Sequence, residues 1–263
     1  MDLRDRIFTA LHEAQEPRFY MGASMMGHEC DRKVWLDYRG FKGESSNPYK
    51  KDDHPGRVFA IFQAGHDIEE MLIKALGDIV EDEQVPVSLP PIKGHADGVL
   101  RIDGKRELLE IKSANKRRFK LFKEKGVEET EPKYFVQMQV YMHLLLLHQG
   151  RFLVMCKDDS EIHVETVAYN RAKAQRAIER GMALAHSGEP DKIDSSGSHP
   201  LCTFCEYRRY CHASIELRVA KKACLNCAHL SRGHCVLHKK DIEHPERDCD
   251  LHAGLEMADK YPF

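Results

Sequence analysis

The pair Asp103-Gly104 constrains this chain more than any other two residues, because it stands between two strand-like runs, His95 to Ile102 and Lys105 to Lys112. An Asp-Gly step so flanked predicts a β-hairpin with a two-residue turn. A turn of that length fixes register. With Ile102 facing Lys105, Asp97 falls directly across from Glu110 on one face of the sheet, their Cβ atoms roughly 5 Å apart. Two opposed carboxylates repel unless something neutralises them, and a divalent cation with oxygen ligands does so. Lys112 shares that face, since strand side chains alternate and Ile111 points away.

The rest of the composition sets bounds. A chain of 263 residues with 42% hydrophobic content can bury a packed core, and a net charge of −2 leaves any affinity for nucleic acid to local patches. The longest apolar run, Leu144 to Leu147, is too short to cross a membrane, and Met1 to Arg6 has no apolar leader, so a cytoplasmic protein without membrane contact is expected. Nine cysteines in such a chain point to metal or redox ligation, not disulfides. Cys202, Cys205 and Cys211 form one cluster and Cys224, Cys227, Cys235 and Cys249 another, with Cys30 and Cys156 apart.

Helices are expected over Leu3 to His12 and Glu29 to Leu36, and an exposed loop over Gly43 to Pro55. Val58 to Leu76 carries Ile61, Ala64, Ile68, Met71, Leu72 and Ala75 at helical spacing, with Gly77 as its stop. A strand from Val80 to Val87 precedes the hairpin. Pro132 opens a helix running to about His148, followed by a strand pair, Phe152 to Cys156 and Ile162 to Ala168, and a helix from Arg171 to His186. Residues 191–200 form the clearest linker. The order suits an α/β or α+β core, a small mixed central sheet flanked by helices, with a cysteine-rich C-terminal metal-binding region.

Asp97, followed by Glu110-Ile111-Lys112, suits metal-dependent cleavage of a phosphodiester. Such cleavage needs a deprotonated water, relief of the charge growing on phosphorus and help for the departing oxygen, and a bound cation supplies all three. Asp97, Glu110 and the Ile111 carbonyl would hold it, with Lys112 orienting the water or neutralising charge. The bland alternative is an amphipathic hairpin with a surface Glu-Lys pair. His66 sits on a stripe with Phe62, Glu69 and Ile73, where an imidazole can reach a metal or simply line the core, while Glu69 and Glu70 read as solvated. Gln137 and Tyr141 share a helix face with Tyr134, Met138 and Leu145. Lys116, Arg117, Arg118, Lys120, Lys123 and Lys125, interleaved with Phe119 and Phe122, offer a phosphate-gripping patch or a solvated helix face.

On these residues the chain resembles the PD-(D/E)XK nuclease superfamily, and within it the RecB-like branch that includes the iron–sulfur CRISPR-associated and AddB-type exonucleases. The resemblance spans about residues 20–215. It implies a restriction-endonuclease-like core. His66, in Phe62-Gln63-Ala64-Gly65-His66, matches the branch's metal-binding histidine, and Asp97 its first carboxylate, with Ala96 in place of the usual proline. Glu110 and Lys112 match the Glu-x-Lys element, and Gln137 with Tyr141 the Gln-x-x-x-Tyr motif. Cys30, Cys202, Cys205 and Cys211 match four ligands of a structural [4Fe–4S] cluster tying the chain ends together, although four cysteines also suit zinc.

Residues beyond 220 depart from that pattern. Cys224, Cys227, Cys235 and Cys249, with His234, His238 and His252 as possible substitutes, suggest a zinc module that binds DNA or a protein partner, or caps the core. Cys156 reads as a core residue. The expected division is therefore a helical region 1–56 contributing Cys30, a nuclease core 57–190, an iron–sulfur region 191–219 and a module 220–263. The expected function is a Mg²⁺- or Mn²⁺-dependent DNA exonuclease acting on single strands or free ends in recombination, repair or processing. Its rival is a catalytically silent DNA-binding protein that keeps the fold and its clusters as scaffold.

Overall fold

A computed structural model describes residues 2–11, 19–43, 56–213, 217–219, 222–227, 229–231, 234–243 and 249. The elements begin with α1 (Leu3–Leu11), β1 (Met21–Gly22), α2 (Asp31–Tyr38), β2 (Phe41–Lys42) and α3 (Gly56–Leu76). The central strands are β3 (Val80–Leu89), β4 (Ile92–Ile102) and β5 (Lys105–Ala114), followed by α4 (Lys116–Thr130) and α5 (Pro132–Leu144). Then come β6 (Gln149–Cys156), β7 (Ile162–Ala168), α6 (Arg171–His186), α7 (Pro200–Thr203) and α8 (Arg208–Ala213). Four two-residue strands close the chain, β8 (Arg218–Val219), β9 (Leu230–Ser231), β10 (His234–Cys235) and β11 (Lys240–Asp241).

The chain forms two compact units. One holds residues 1–14, 22–27 and 53–179, the other 15–21, 28–52 and 180–263. The expected boundaries are thus redrawn: 1–56 is no unit of its own, and α2 with Cys30 belongs with the C-terminal cysteines. The expected loop at 43–55 lies, beyond Gly43, outside the described residues.

In the first unit β3, β4, β5, β6 and β7 are neighbours in that order. All pairs are antiparallel except β5–β6, whose parallel pairing runs from Leu108–Gly150 to Ala114–Cys156. The sheet is therefore mixed, and α4 and α5 make the crossover that parallel neighbours require. The hairpin forms as expected. Asp103 and Gly104 take φ of 49° and 76°, the doubly left-handed turn for which Asp-Gly is suited, and the ladder runs from Ile102–Lys105 to Gly98–Leu109. Asn115 caps α4 by accepting a hydrogen bond from the Arg118 N–H at 2.9 Å. α5 stops at Leu144, short of the expected His148, because Leu146 turns left-handed at φ 58° and the chain enters β6 at Gln149.

One sheet face packs Leu100, Leu109, Ile111 and Leu153 against Leu72 and Ile73 of α3, with Ile68 and Leu76 beside them. The expected inward stripe of α3 is only partly right. Ile61 and Ala64 are exposed because the N-terminal half of this helix does not lie over the sheet, and Met71 and Ala75 are exposed because they are off the face that Ile68, Leu72, Ile73 and Leu76 turn to it. On the other side Phe122 and Tyr134 stack near Phe152, at 5.1 and 6.3 Å between ring centroids. Cys156 is fully buried, a core residue as expected.

The second unit has its own core of Trp35, Leu36, Phe41 and Tyr207. β2 pairs with β8, while β9, β10 and β11 make a separate three-stranded sheet. The expected linker lacks regular structure until Pro200, yet the Asp194 carboxylate orders it by accepting from the N–H groups of Ser198 and His199.

Candidate active site

The register of the hairpin carries Asp97 and Glu110 to the position where β4 and β5 part. The last ladder pair is Gly98–Leu109. Had the alternation continued, Ile111 N–H would have donated to the carbonyl of Ala96. It donates instead to Asp97 Oδ2, at 2.6 Å. The Asp97 side chain thus replaces a backbone acceptor and is fixed by the partner strand.

Glu110 is fully buried and held from α5, where Gln137 Nε2 donates to its Oε1 at 3.0 Å. Lys112 Nζ lies 2.6 Å from the same Oε1 and 3.6 Å from Asp97 Oδ2, and donates to the Ile111 carbonyl at 2.7 Å. Its ammonium also sits 5.4 Å from the centre of the Tyr134 ring. The remaining oxygen of Glu110, Oε2, is buried with no hydrogen-bond partner among the described residues.

Electrostatics follow from that packing. Burial raises the Glu110 carboxyl above its ordinary range, Lys112 pulls it down and Asp97 pushes it up again. For Lys112 burial alone would favour the neutral amine, but the two carboxylates outweigh it and the group stays an ammonium. Tyr141 is raised by burial and then by Glu110 and Asp97, with its side chain bonded to Gln137, so it is a neutral phenol. Gly94 makes room for it: a Cβ there would stand 2.4 Å from the Tyr141 hydroxyl oxygen.

These contacts test whether a cation suits the site. The three oxygens expected to bind it, from Glu110, Asp97 and the Ile111 carbonyl, converge on one positive nitrogen, and an oxygen of Glu110 is left over. A donor set of hard oxygens with a surplus lone pair fits Mg²⁺ or Mn²⁺. No group of three or more His, Cys, Asp or Glu side chains among the described residues is itself arranged to hold a metal ion. The ammonium occupies the centre of the oxygens.

Other expected residues fare differently. His66 is 73% exposed in its side chain, and its Nδ1 lies 4.0 Å from Glu69 Oε2. Glu69, expected in solvent, is only 17% exposed, and its Oε1 accepts from Gln84 Nε2 at 2.6 Å. Burial and then the charge of Asp97 raise its carboxyl. The basic run after Lys112 is largely spent within the chain: Lys116 pairs with Asp159, Arg118 with Glu131, Lys120 with Glu124, Lys123 with Glu161 and Lys125 with Glu129. Phe119 and Phe122 are buried, so they build the core and present no stacking surface, while Arg117 is exposed.

The clustered cysteines line two pockets of the second unit, and neither set, among the described residues, is arranged to hold a metal ion. Cys30, Cys202, Cys205 and Cys211 line one pocket of the second unit with His28, Arg32, Lys33, Arg208 and His212. Cys224, Cys227, Cys235 and Cys249 line another with His229 and His238. His238 Nε2 is 3.8 Å from Cys249 Sγ, and the His238 N–H points at Cys235 Sγ at 3.5 Å. His234 pairs with Asp241 instead of a thiol, and His252 lies outside the described residues. None of the nine cysteines is in a disulfide. No helix among the described residues is long and apolar enough to cross a membrane.

No family pattern and no curated protein matches this sequence. Among solved structures the backbone is similar to that of SSO0001, at 18% identity over 81% of this chain and 98% of that chain, with a TM-score of 0.46. It is also similar to an alkaline exonuclease, LHK-Exo, from Laribacter hongkongensis, at 16% identity over 68% and 90%, TM-score 0.42. A phage-related exonuclease from Haemophilus somnus 129PT matches at 15% identity over 63% and 91%, TM-score 0.43. Likeness this loose fixes no chemistry, which has to come from Asp97, Glu110 and Lys112 themselves.

Proposed function

We propose that this protein is a divalent-metal-dependent DNA nuclease of exonuclease type, working at the point where β4 and β5 part. The observation that carries the reading is the convergence of Glu110 Oε1, Asp97 Oδ2 and the Ile111 carbonyl on a single cation, with Glu110 Oε2 buried and unpartnered. Asp97, Glu110 and Ile111 would hold Mg²⁺ or Mn²⁺, with His66 approaching from α3. The bound ion would acidify a water and offset charge on the phosphate. Gln137 keeps the Glu110 carboxylate oriented, and Tyr141 behind it closes that side of the site to solvent. Lys112, displaced from the carboxylates, would present its ammonium to the attacked phosphate or its water.

Free DNA ends, single-stranded or frayed, are the proposed substrate. The four cysteines about Cys30, which line one pocket, would carry a [4Fe–4S] cluster. The group about Cys224 would carry Zn²⁺, and its module would meet DNA or a protein partner. Neither would enter the hydrolysis.

The decisive experiment incubates end-labelled single- and double-stranded DNA and RNA with Mn²⁺ and either the wild type or Lys112→Ala. Cleavage of DNA by the wild type alone is expected. Equal cleavage by both proteins, or by neither, refutes the proposal. Visible absorption and metal analysis of anaerobically purified protein test the two cysteine groups.

A further inference from the structure

Glu69 is the side chain that sequence reasoning assigned to solvent and the fold turned toward the site. It sits on α3, one turn after His66, and is much the less exposed of the two. What holds it is unusual. Gln84 lies in the middle of β3 between the ladder pairs Glu83–Gly98 and Val85–Ala96, which places it across from Asp97. Its φ is +47°, a left-handed conformation that a non-glycine residue in a strand adopts only when the surroundings enforce it. In that conformation its amide donates to Glu69 Oε1 at 2.6 Å, while Glu69 Oε2 lies 4.0 Å from His66 Nδ1.

Charge gives the arrangement a purpose. Asp97, Glu110 and Glu69 bring three carboxylates into each other's field, and one ion-paired lysine, Lys112, faces them. Glu110 is fully buried with an unpartnered oxygen, which itself points to a missing positive partner. A divalent cation would be such a partner, and Asp97 and Glu69 lie in the same field to share it.

We infer that Glu69 is a third carboxylate of the cation site, facing Asp97 from α3, and that Gln84 is the residue that positions it. This rests on the nuclease reading and deepens it, by making α3 contribute an acid in addition to His66.

The test measures Mn²⁺ affinity by isothermal titration calorimetry, without DNA, for the wild type, Glu69→Gln, Glu69→Asp, Gln84→Leu and His66→Ala. Glu69→Gln should bind Mn²⁺ about tenfold more weakly or worse, Glu69→Asp should recover most of the loss, and Gln84→Leu should fall between. In metal-free buffer all four variants should melt close to the wild type, so a lost metal shift is not a folding defect; should Glu69→Gln fail to fold, the comparison of Glu69→Asp with Gln84→Leu decides. Wild-type affinity in Glu69→Gln overturns the inference, as does wild-type affinity in Gln84→Leu should Glu69→Gln fail to fold; His66→Ala should also bind more weakly, as the other α3 ligand. If the wild type takes no Mn²⁺ at all, the nuclease reading falls with it; if it binds Mn²⁺ and cleaves DNA while Glu69→Gln binds equally well, only the role of Glu69 falls.

Discussion

Replacing Lys112 with methionine should extend to higher pH the loss of stability that the raised Glu110 carboxyl already gives the wild type. Glu110 has one ion-pair partner among the described residues, the ammonium 2.6 Å from Oε1, and one further donor, Gln137 at 3.0 Å. The substitution keeps the chain's apolar stem and removes the charge. A buried carboxylate left without its cation costs about 3–5 kcal/mol. The protein can avoid that cost by protonating Glu110, which caps it.

The sign follows from linkage. In the variant the folded state holds the Glu110 proton to higher pH than the unfolded chain does, so stability is lost as pH rises above 4.5 through the raised folded value. Urea unfolding followed by far-ultraviolet circular dichroism, in chelator, should find the deficit of Lys112→Met relative to the wild type larger at pH 9 than at pH 7, growing by about 1.4 kcal/mol per pH unit once the wild-type Glu110 gives up its proton at about 8 and the variant's does not. Added Mn²⁺ should return more stability to the variant than to the wild type, because the ion replaces the missing ammonium. An equal loss at both pH values would show that Glu110 does not depend on Lys112 for its charge, and the cation site as drawn would be wrong.

Two further substitutions probe the supports. Gly94→Ala puts a methyl 2.4 Å from the Tyr141 hydroxyl oxygen, and thermal melts should show a loss of about 1–3 kcal/mol that Tyr141→Phe in the same chain partly reverses; an additive double variant refutes the contact. Arg39→Met removes the donors that hold the Leu225 carbonyl at 2.8 Å and the Ser187 carbonyl at 3.3 Å, so limited proteolysis should cut faster near residues 222–227, with a loss of about 1–3 kcal/mol.

The hairpin was legible because Asp103-Gly104 leaves the backbone few alternatives, and one register then places every side chain on its face. Gln137 stood out only by its helix face and by the Gln-x-x-x-Tyr resemblance, and its bond to Glu110 comes from packing that neither feature specifies. Residues brought in by packing were harder. The inward face of α3 depends on which half of that helix covers the sheet, so the apolar spacing that includes Ile61 and Met71 misplaced it, and Glu69 was taken for a solvated acid. Gln84 gave no signal, because a left-handed φ at glutamine follows from the tertiary surroundings and not from its neighbours in sequence. The basic run misled in the opposite sense, since its carboxylate partners, Asp159 and Glu161 among them, come from the β6–β7 turn about forty residues away.

Preorganisation is what separates a cation site from an ordinary buried ion pair. Asp97 is pinned by the Ile111 N–H and Glu110 by the Gln137 amide, so neither carboxylate depends on Lys112 for its position. Lys112, by contrast, reaches the carboxylates on a flexible stem with its side chain 24% exposed, its ammonium also lying over the Tyr134 ring. On the proposed reading, a cation competing for Glu110 and Asp97 would displace Lys112 and inherit two carboxylates already held in place. That asymmetry would let the same oxygens serve a lysine in the empty protein and a metal ion in the loaded one, without rebuilding the sheet.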